Sequence, residues 1–101
     1  MIEIIHRVNK IENLEKIPFE KGVEIDIRSN NGSLILSHDI SSKADSFEEF
    51  LESYNHQLLV ANIKETGIEE DVIETLRENE VSNFFLLDTE FPFIIRHHEE
   101  Y

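Results

Sequence analysis

The pattern of hydrophobic and polar positions predicts strands alternating with helices along most of the chain. Val23, Ile25 and Ile27 alternate with charged residues, which is typical of a strand with one polar face. Residues 30–32 predict a tight turn into a second extended run over 33–37. Apolar residues at helical spacing predict helices that begin at Ser46 and that cover 68–79. Continuous apolar runs over 57–64 and 81–87 predict buried parallel strands.

The remaining segments complete an order typical of α/β proteins. Residues 2–5 predict a short strand, 11–17 predict a short helix that Pro18 stops, and 91–95 predict the start of a further helix. Alternating strands and helices imply parallel strands joined by right-handed crossovers. Because the sequence has no repeat and no linker, we expect a single domain over 1–101.

Charge and composition exclude several classes of partner and site. Nine basic and 22 acidic residues give a formal charge of −13, which disfavours nucleic acid and anionic membranes. The absence of cysteine excludes disulfides, a thiolate nucleophile and a cysteine-bound zinc site. No apolar run approaches the roughly 18 residues of a membrane span. These features, with no signal-peptide pattern at the N-terminus, predict a cytoplasmic protein without a membrane span.

Polar residues capable of chemistry follow almost every predicted strand. They are His6 and Arg7 after the first strand, Glu24 and Asp26 on the polar face of the second, His38 and Asp39 after the extended run, and Asn62, Lys64 and Asp88 near the ends of the last two. Ligands of parallel α/β folds bind at the carboxyl ends of the strands, so this distribution predicts a site there. Each residue alone also fits an ordinary strand end, turn or solvated face.

Taken together, the segments resemble a known family. IIHR, EN at positions 12 and 13, GVEIDI, NG at positions 31 and 32, and SHD resemble the first third of a glycerophosphodiester phosphodiesterase. The resemblance covers residues 2 to about 64, and its fold is the barrel shared with phosphatidylinositol phospholipases C and sphingomyelinase D. It implies an α/β fold, the N-terminal half of a TIM (β/α)8 barrel with about four βα units. It also implies a metal-dependent phosphoric diester hydrolase acting on glycerophosphodiesters or related phospholipid-derived substrates.

The same resemblance implies a role for each matching residue. Glu24, Asp26 and Asn62 would hold a divalent metal, Mg or Ca, since hard oxygen ligands suit hard cations. His6 and His38 would be the two catalytic histidines: one would attack or take a proton, and the other would protonate the leaving alkoxide. Arg7 and Lys64 would bind the substrate phosphate. His56, His97 and His98 match nothing in the pattern and are expected at the surface.

Three departures from the family pattern leave alternatives open. Val8 stands where the family has glycine, and Asn62 stands where it has a glutamate ligand; Asn62 therefore indicates either weaker metal binding or a subfamily. A whole barrel also takes about 250 residues. The alternatives are a catalytically impaired relative that binds phosphate esters or acts as an interaction module, and an acidic interaction domain whose motif is accidental.

The length of the chain also leads to an expectation about its assembly. A half-barrel leaves the edge of its fourth strand, here the run FFLL over 84–87, without a hydrogen-bonding neighbour. We therefore expect self-association, or dependence on a missing C-terminal half.

Overall fold

The computed structural model describes residues 2–37, 44–88 and 94–96, and these form one mixed sheet with three helices. The strands are β1 (Ile4–Ile5), β2 (Gly22–Asn30), β3 (Ser33–Leu36), β4 (Asp45–Ser46), β5 (Leu58–Ile63), β6 (Phe84–Asp88) and β7 (Ile94–Arg96). The helices are α1 (Ile11–Leu14), α2 (Phe47–Glu52) and α3 (Glu69–Glu78).

The centre of the sheet is parallel. β2 pairs with β5 over six positions, from Gly22 opposite Leu58 to Ile27 opposite Ile63. β6 continues in parallel on the other side of β5, and β1 lies parallel to the start of β2. The apolar runs predicted to be parallel strands therefore are parallel strands, and their carboxyl ends lie together.

The flanks of the sheet are antiparallel, and for this reason the predicted N-terminal half of a TIM (β/α)8 barrel is wrong. After β2 the chain turns at Asn31 and Gly32, both with positive φ, and β3 returns antiparallel along β2. β4 adds antiparallel to β3, and β7 pairs antiparallel with β6 where a barrel would place another parallel strand. The observed fold is a small, strand-rich mixed sheet.

The helices cover one face of this sheet. Alternation along β2 sends Val23, Ile25 and Ile27 to that face, where all three are fully buried. The core that forms there comes from both layers: Val23, Ile25, Ile27, Leu36, Leu59, Ala61, Ile63, Phe84 and Leu86 from strands, and Leu14, Phe47, Phe50, Leu51, Val72 and Leu76 from helices. The other face of β2 carries Glu24 and Asp26.

Local predictions succeed for α2 and fail near the C-terminus. Ser46 caps α2, since its side-chain oxygen accepts a hydrogen bond from the Glu49 backbone N–H at 3.4 Å. The helix predicted over 91–95 is wrong where the structure describes it, because 94–96 forms strand β7; residues 91–93 lie outside the described part. His56 is not a surface residue: it is 8% exposed, and its Nε2 lies 2.8 Å from the Ile17 carbonyl oxygen.

The edge expected to drive association has a neighbour. β6 is hydrogen-bonded to β5 on one side and to β7 on the other, so the fourth parallel strand is not left open along its length. An unpaired edge of β6 therefore no longer supports the expected association. Self-association, or completion by a C-terminal half, stays a prediction. In the part of the chain that the structure describes, none of the helices combines the length and the apolar character needed to cross a membrane.

Gly22 gives a test of the parallel centre. A Cβ at this position would lie 3.2 Å from Ile4 Cγ1, 3.3 Å from Ile2 Cγ2 and 3.3 Å from the Leu58 carbonyl oxygen. Because the contact with Leu58 is to backbone, Gly22→Ala should lower the free energy of unfolding by about 1–3 kcal/mol. Urea denaturation measures this. Ser33→Ala, at an exposed position of β3, is the control, and an equal effect of the two changes would contradict the crowding.

Candidate functional site

A cluster of polar side chains lies on the sheet face opposite the helices, around Glu24 and Asp26 of β2. The two carboxylates point to the same face because they are two residues apart in a strand. The parallel register places Asn62 of β5 directly beside Asp26. The Asp26 side chain is only 2% exposed and that of Glu24 is 18% exposed, so both carboxylates need partners from the protein.

Glu24 joins His6 to Asn62. One carboxylate oxygen, Oε1, lies 3.0 Å from Nδ1 of His6, and the other, Oε2, accepts a hydrogen bond of 3.0 Å from Nδ2 of Asn62. A carboxylate only accepts, so this contact puts the proton of a neutral His6 ring on Nδ1. Nε2 then has its lone pair available, on a side chain that is 76% exposed.

Asp26 joins Asn9 to Lys64. The Asn9 amide donates to Asp26 Oδ2 at 3.0 Å, and its Oδ1 accepts the backbone N–H of Asp26 at 2.8 Å. The Lys64 ammonium lies 3.6 Å from Asp26 Oδ1, with a side chain 19% exposed. This two-point amide contact and the ion pair neutralise and orient a buried carboxylate.

The segment after β1 reaches this cluster through an unusual backbone conformation at Arg7. Its φ is +54°, a left-handed value that non-glycine residues rarely adopt. Beyond it the Val8 N–H donates to the Glu24 carbonyl oxygen at 2.7 Å, and the Val8 side chain is 3% exposed within the core. Val8 thus anchors the segment, while Arg7 itself is exposed.

Most of the predicted site residues come together. His6, Glu24 and Asn62 form one hydrogen-bonded row, and Asp26 with Lys64 forms the neighbouring pair. Arg7 is next to His6 in the chain. His38 lies outside the described residues, so its role as the second catalytic histidine stays a prediction.

Asn9 belongs to the cluster, although the sequence analysis does not predict it as a site residue. In an extended chain Asn9 and His6, three residues apart, point to opposite faces. The left-handed turn at Arg7 breaks that alternation, so both side chains reach the polar face. Nothing in the sequence identifies Asn9 as a site residue unless the backbone conformation of Arg7 is already known.

The described residues do not fit the divalent cation that the family resemblance implies. Each of the four oxygens of Glu24 and Asp26 faces a nitrogen of the chain: the His6 ring, the Asn62 amide, the Lys64 ammonium and the Asn9 amide. Among residues 2–37, 44–88 and 94–96, no group of three or more histidine, aspartate or glutamate side chains is arranged to hold a metal. We therefore derive no chemical step through a metal, and the metal site stays a prediction.

Glu65 fixes the end of β5 against β2 beside the cluster. Its carboxylate accepts the backbone N–H of Ser29 at 2.8 Å and the Ser29 hydroxyl at 2.7 Å. The two hydrogen bonds from Ser29 are the main reason that the pKa of Glu65 is lowered; burial acts in the opposite direction, and the charge of Arg28 adds to the lowering. The preceding residue, Lys64, donates its backbone N–H to the Ile27 carbonyl oxygen of β2 at 3.0 Å.

Replacing Asn9 should destabilise the fold through Asp26. Asn9→Ala leaves the Asp26 backbone N–H and Oδ2 without the amide in a site that is 2% exposed, so the free energy of unfolding should fall by about 1–3 kcal/mol. Asn13→Ala, at an exposed position of α1, is the matched control and should change it by less than about 0.5 kcal/mol. Equal urea midpoints for both variants would contradict the role of Asn9.

The Glu65 contact predicts a pH dependence of stability. Because the folded state lowers the pKa of Glu65, its stabilising effect is complete above the ordinary value of 4.5 and is lost as the pH falls through the lowered pKa. Wild type should therefore be more stable than Glu65→Gln at neutral pH, and the difference should shrink on acidification. Urea denaturation across this range measures it; a difference independent of pH would contradict the pKa shift.

Comparison of the chain with protein-family models, with curated proteins and with solved structures gave no match. The resemblance to glycerophosphodiester phosphodiesterases therefore rests on the motifs in the sequence alone, and it stays a prediction.

Proposed function

We propose that this chain binds small phosphodiesters at the cluster around Glu24 and that His6 transfers a proton in their hydrolysis. The single observation that carries the proposal is the hydrogen bond between His6 Nδ1 and Glu24 Oε1, with the rest of the imidazole exposed. It is supported by the family resemblance of the HR motif, which implies a catalytic role for His6. The same resemblance implies metal binding for Glu24, and the proposal instead gives Glu24 the role of orienting the His6 ring. The lack of cysteine accords with action in the cytoplasm.

The proton transfer follows from the orientation of the His6 ring. A water oxygen attacks phosphorus, the bond from phosphorus to the leaving alcohol breaks, and the proton of the water passes to His6 Nε2. Glu24 holds the ring and stabilises the imidazolium that forms. The leaving alkoxide takes a proton from a general acid, the role expected of His38. The products are a phosphate monoester and an alcohol.

The formal charges of the cluster favour a diester over a monoester. The positive charges of Arg7 and Lys64 cancel the negative charges of Glu24 and Asp26, and the whole chain carries −13. A site with no net formal charge on such a surface binds a singly charged diester at lower electrostatic cost than a doubly charged monoester. The charge balance of the cluster therefore favours a diester as the substrate, and it also favours release of the monoester product.

Apolar residues beside the cluster suit a phospholipid-derived substituent. The register places Val60 and Phe85 in line with Glu24, and Leu87 in line with Asp26 and Asn62, all on the same sheet face. These three side chains are partly exposed. They offer contact area for the carbon chain of a glycerol or alcohol group.

Binding without cleavage is the second candidate function. The ion pair between Lys64 and Asp26 favours it, because an ammonium already paired with a carboxylate neutralises less of the charge that develops on phosphorus oxygens during attack. In that case Arg7 and the exposed imidazole of His6 would hold the diester without hydrolysing it.

Substitution of His6 separates the two functions. With glycerophosphocholine as substrate, His6→Ala should lower the hydrolysis rate by about 100-fold or more while leaving binding measurable, because it removes a proton-transfer group. The unfolding midpoint should change little, since the side chain is 76% exposed. Lys16→Ala, an exposed lysine on the turn after α1, is the control and should keep full activity.

The assay is read in three ways. Hydrolysis that depends on His6 supports the enzyme. Calorimetric binding of glycerophosphocholine without hydrolysis by wild type supports the binding module. Neither binding nor hydrolysis, with EDTA or with Mg²⁺ or Ca²⁺ present, would contradict the proposed function.

A further inference from the structure

The side chain of Lys64 contacts Asp26, one of the carboxylates to which the family resemblance assigns a divalent cation. It is partly buried and faces the oxygen of Asp26 that Asn9 does not contact, at 3.6 Å. The neighbouring carboxylate, Glu24, has its two oxygens directed at His6 and Asn62. The chain therefore supplies a nitrogen partner for each of the four oxygens of Glu24 and Asp26.

We propose that the Lys64 ammonium is the cation of this site, so that the cluster binds a phosphodiester without a divalent metal. This inference rests on the proposed function for the identity of the anion. It explains why Asn62, which donates its amide hydrogen to Glu24, is compatible with the site: a third carboxylate there would face Glu24 without a cation between them.

Removal of the ammonium has a definite consequence. In Lys64→Met the Asp26 carboxylate keeps the Asn9 contact but loses the Lys64 ammonium, at a position 2% exposed. Loss of a positive charge beside a buried carboxylate increases the attraction of that carboxylate for a cation from solution, and the ammonium leaves its place beside the same Asp26 oxygen. The variant should therefore acquire binding of a divalent ion that the wild type lacks.

Metal titrations test the proposal without reference to activity. Wild type and the control Lys16→Met should give no calorimetric heat with millimolar Mg²⁺ or Ca²⁺ and no change in melting temperature. Lys64→Met should bind at least one of these ions, and its melting temperature should rise on their addition, because a ligand that binds only the folded state stabilises it. Lys64→Arg retains a cation and should behave as wild type.

Two results would overturn the proposal. One is binding of Mg²⁺ or Ca²⁺ by wild type that is lost in a Glu24→Gln, Asp26→Asn double variant. The other is a folded Lys64→Met that binds neither ion. If Lys64→Met does not fold, the wild-type titration decides alone: metal binding overturns the proposal, and its absence supports it.

A diester titration keeps the two proposals distinguishable. Binding of glycerophosphocholine to wild type in EDTA, with unchanged affinity after addition of Mg²⁺ or Ca²⁺, supports the metal-independent site. Binding that requires either ion supports the proposed function and overturns the role of Lys64. If no condition gives diester binding, the proposed function fails, whereas the metal titrations still decide which cation Asp26 holds.

Discussion

The parallel register between β2 and β5 is the constraint on which the rest of the structure depends. Six consecutive residue pairs fix which side chains of the two central strands share a face. Val23, Ile25 and Ile27 thereby join the helices in the core, while Glu24, Asp26 and Asn62 share the opposite face. A shift by one residue would bury the carboxylates under the helices, so the apolar core and the polar cluster enforce the same register.

The cluster is stable because the oxygens of its two carboxylates contact hydrogen-bond donors and a positive charge of the protein. Asp26 is as buried as a core side chain and is tolerated because an amide and an ammonium meet its oxygens. Glu24 is more exposed and is bonded to a ring that solvent reaches. The inner pair therefore provides structure and fixed charge, and the outer pair provides the group that can exchange a proton. For the proposed function, this division keeps the buried pair fixed while the exposed ring remains accessible to a ligand.

The sequence predicts the local geometry well and the topology poorly, for physical reasons. Alternation around Glu24 and Asp26 is a property of any strand, so their common face follows directly from spacing. The pairing of distant strands depends on which edges meet, and nothing in the run from Phe84 to Leu87 distinguishes a parallel neighbour from the antiparallel β7 that lies there. Asn9 was missed because a single positive φ, at Arg7, reverses the face to which later residues point. Backbone conformations of that kind leave little trace in residue type unless glycine is present.

The amide of Asn62 has a consequence for how this site can change by mutation. Asparagine and aspartate codons differ by a single nucleotide, and the two side chains have nearly the same shape. Such a replacement would turn the hydrogen bond with Glu24 into repulsion between two carboxylates, next to the carboxylate of Asp26. Three acids held by one ammonium would then favour uptake of a doubly charged ion. One base change would thus convert the amide that donates to Glu24 into a third carboxylate on the same sheet face.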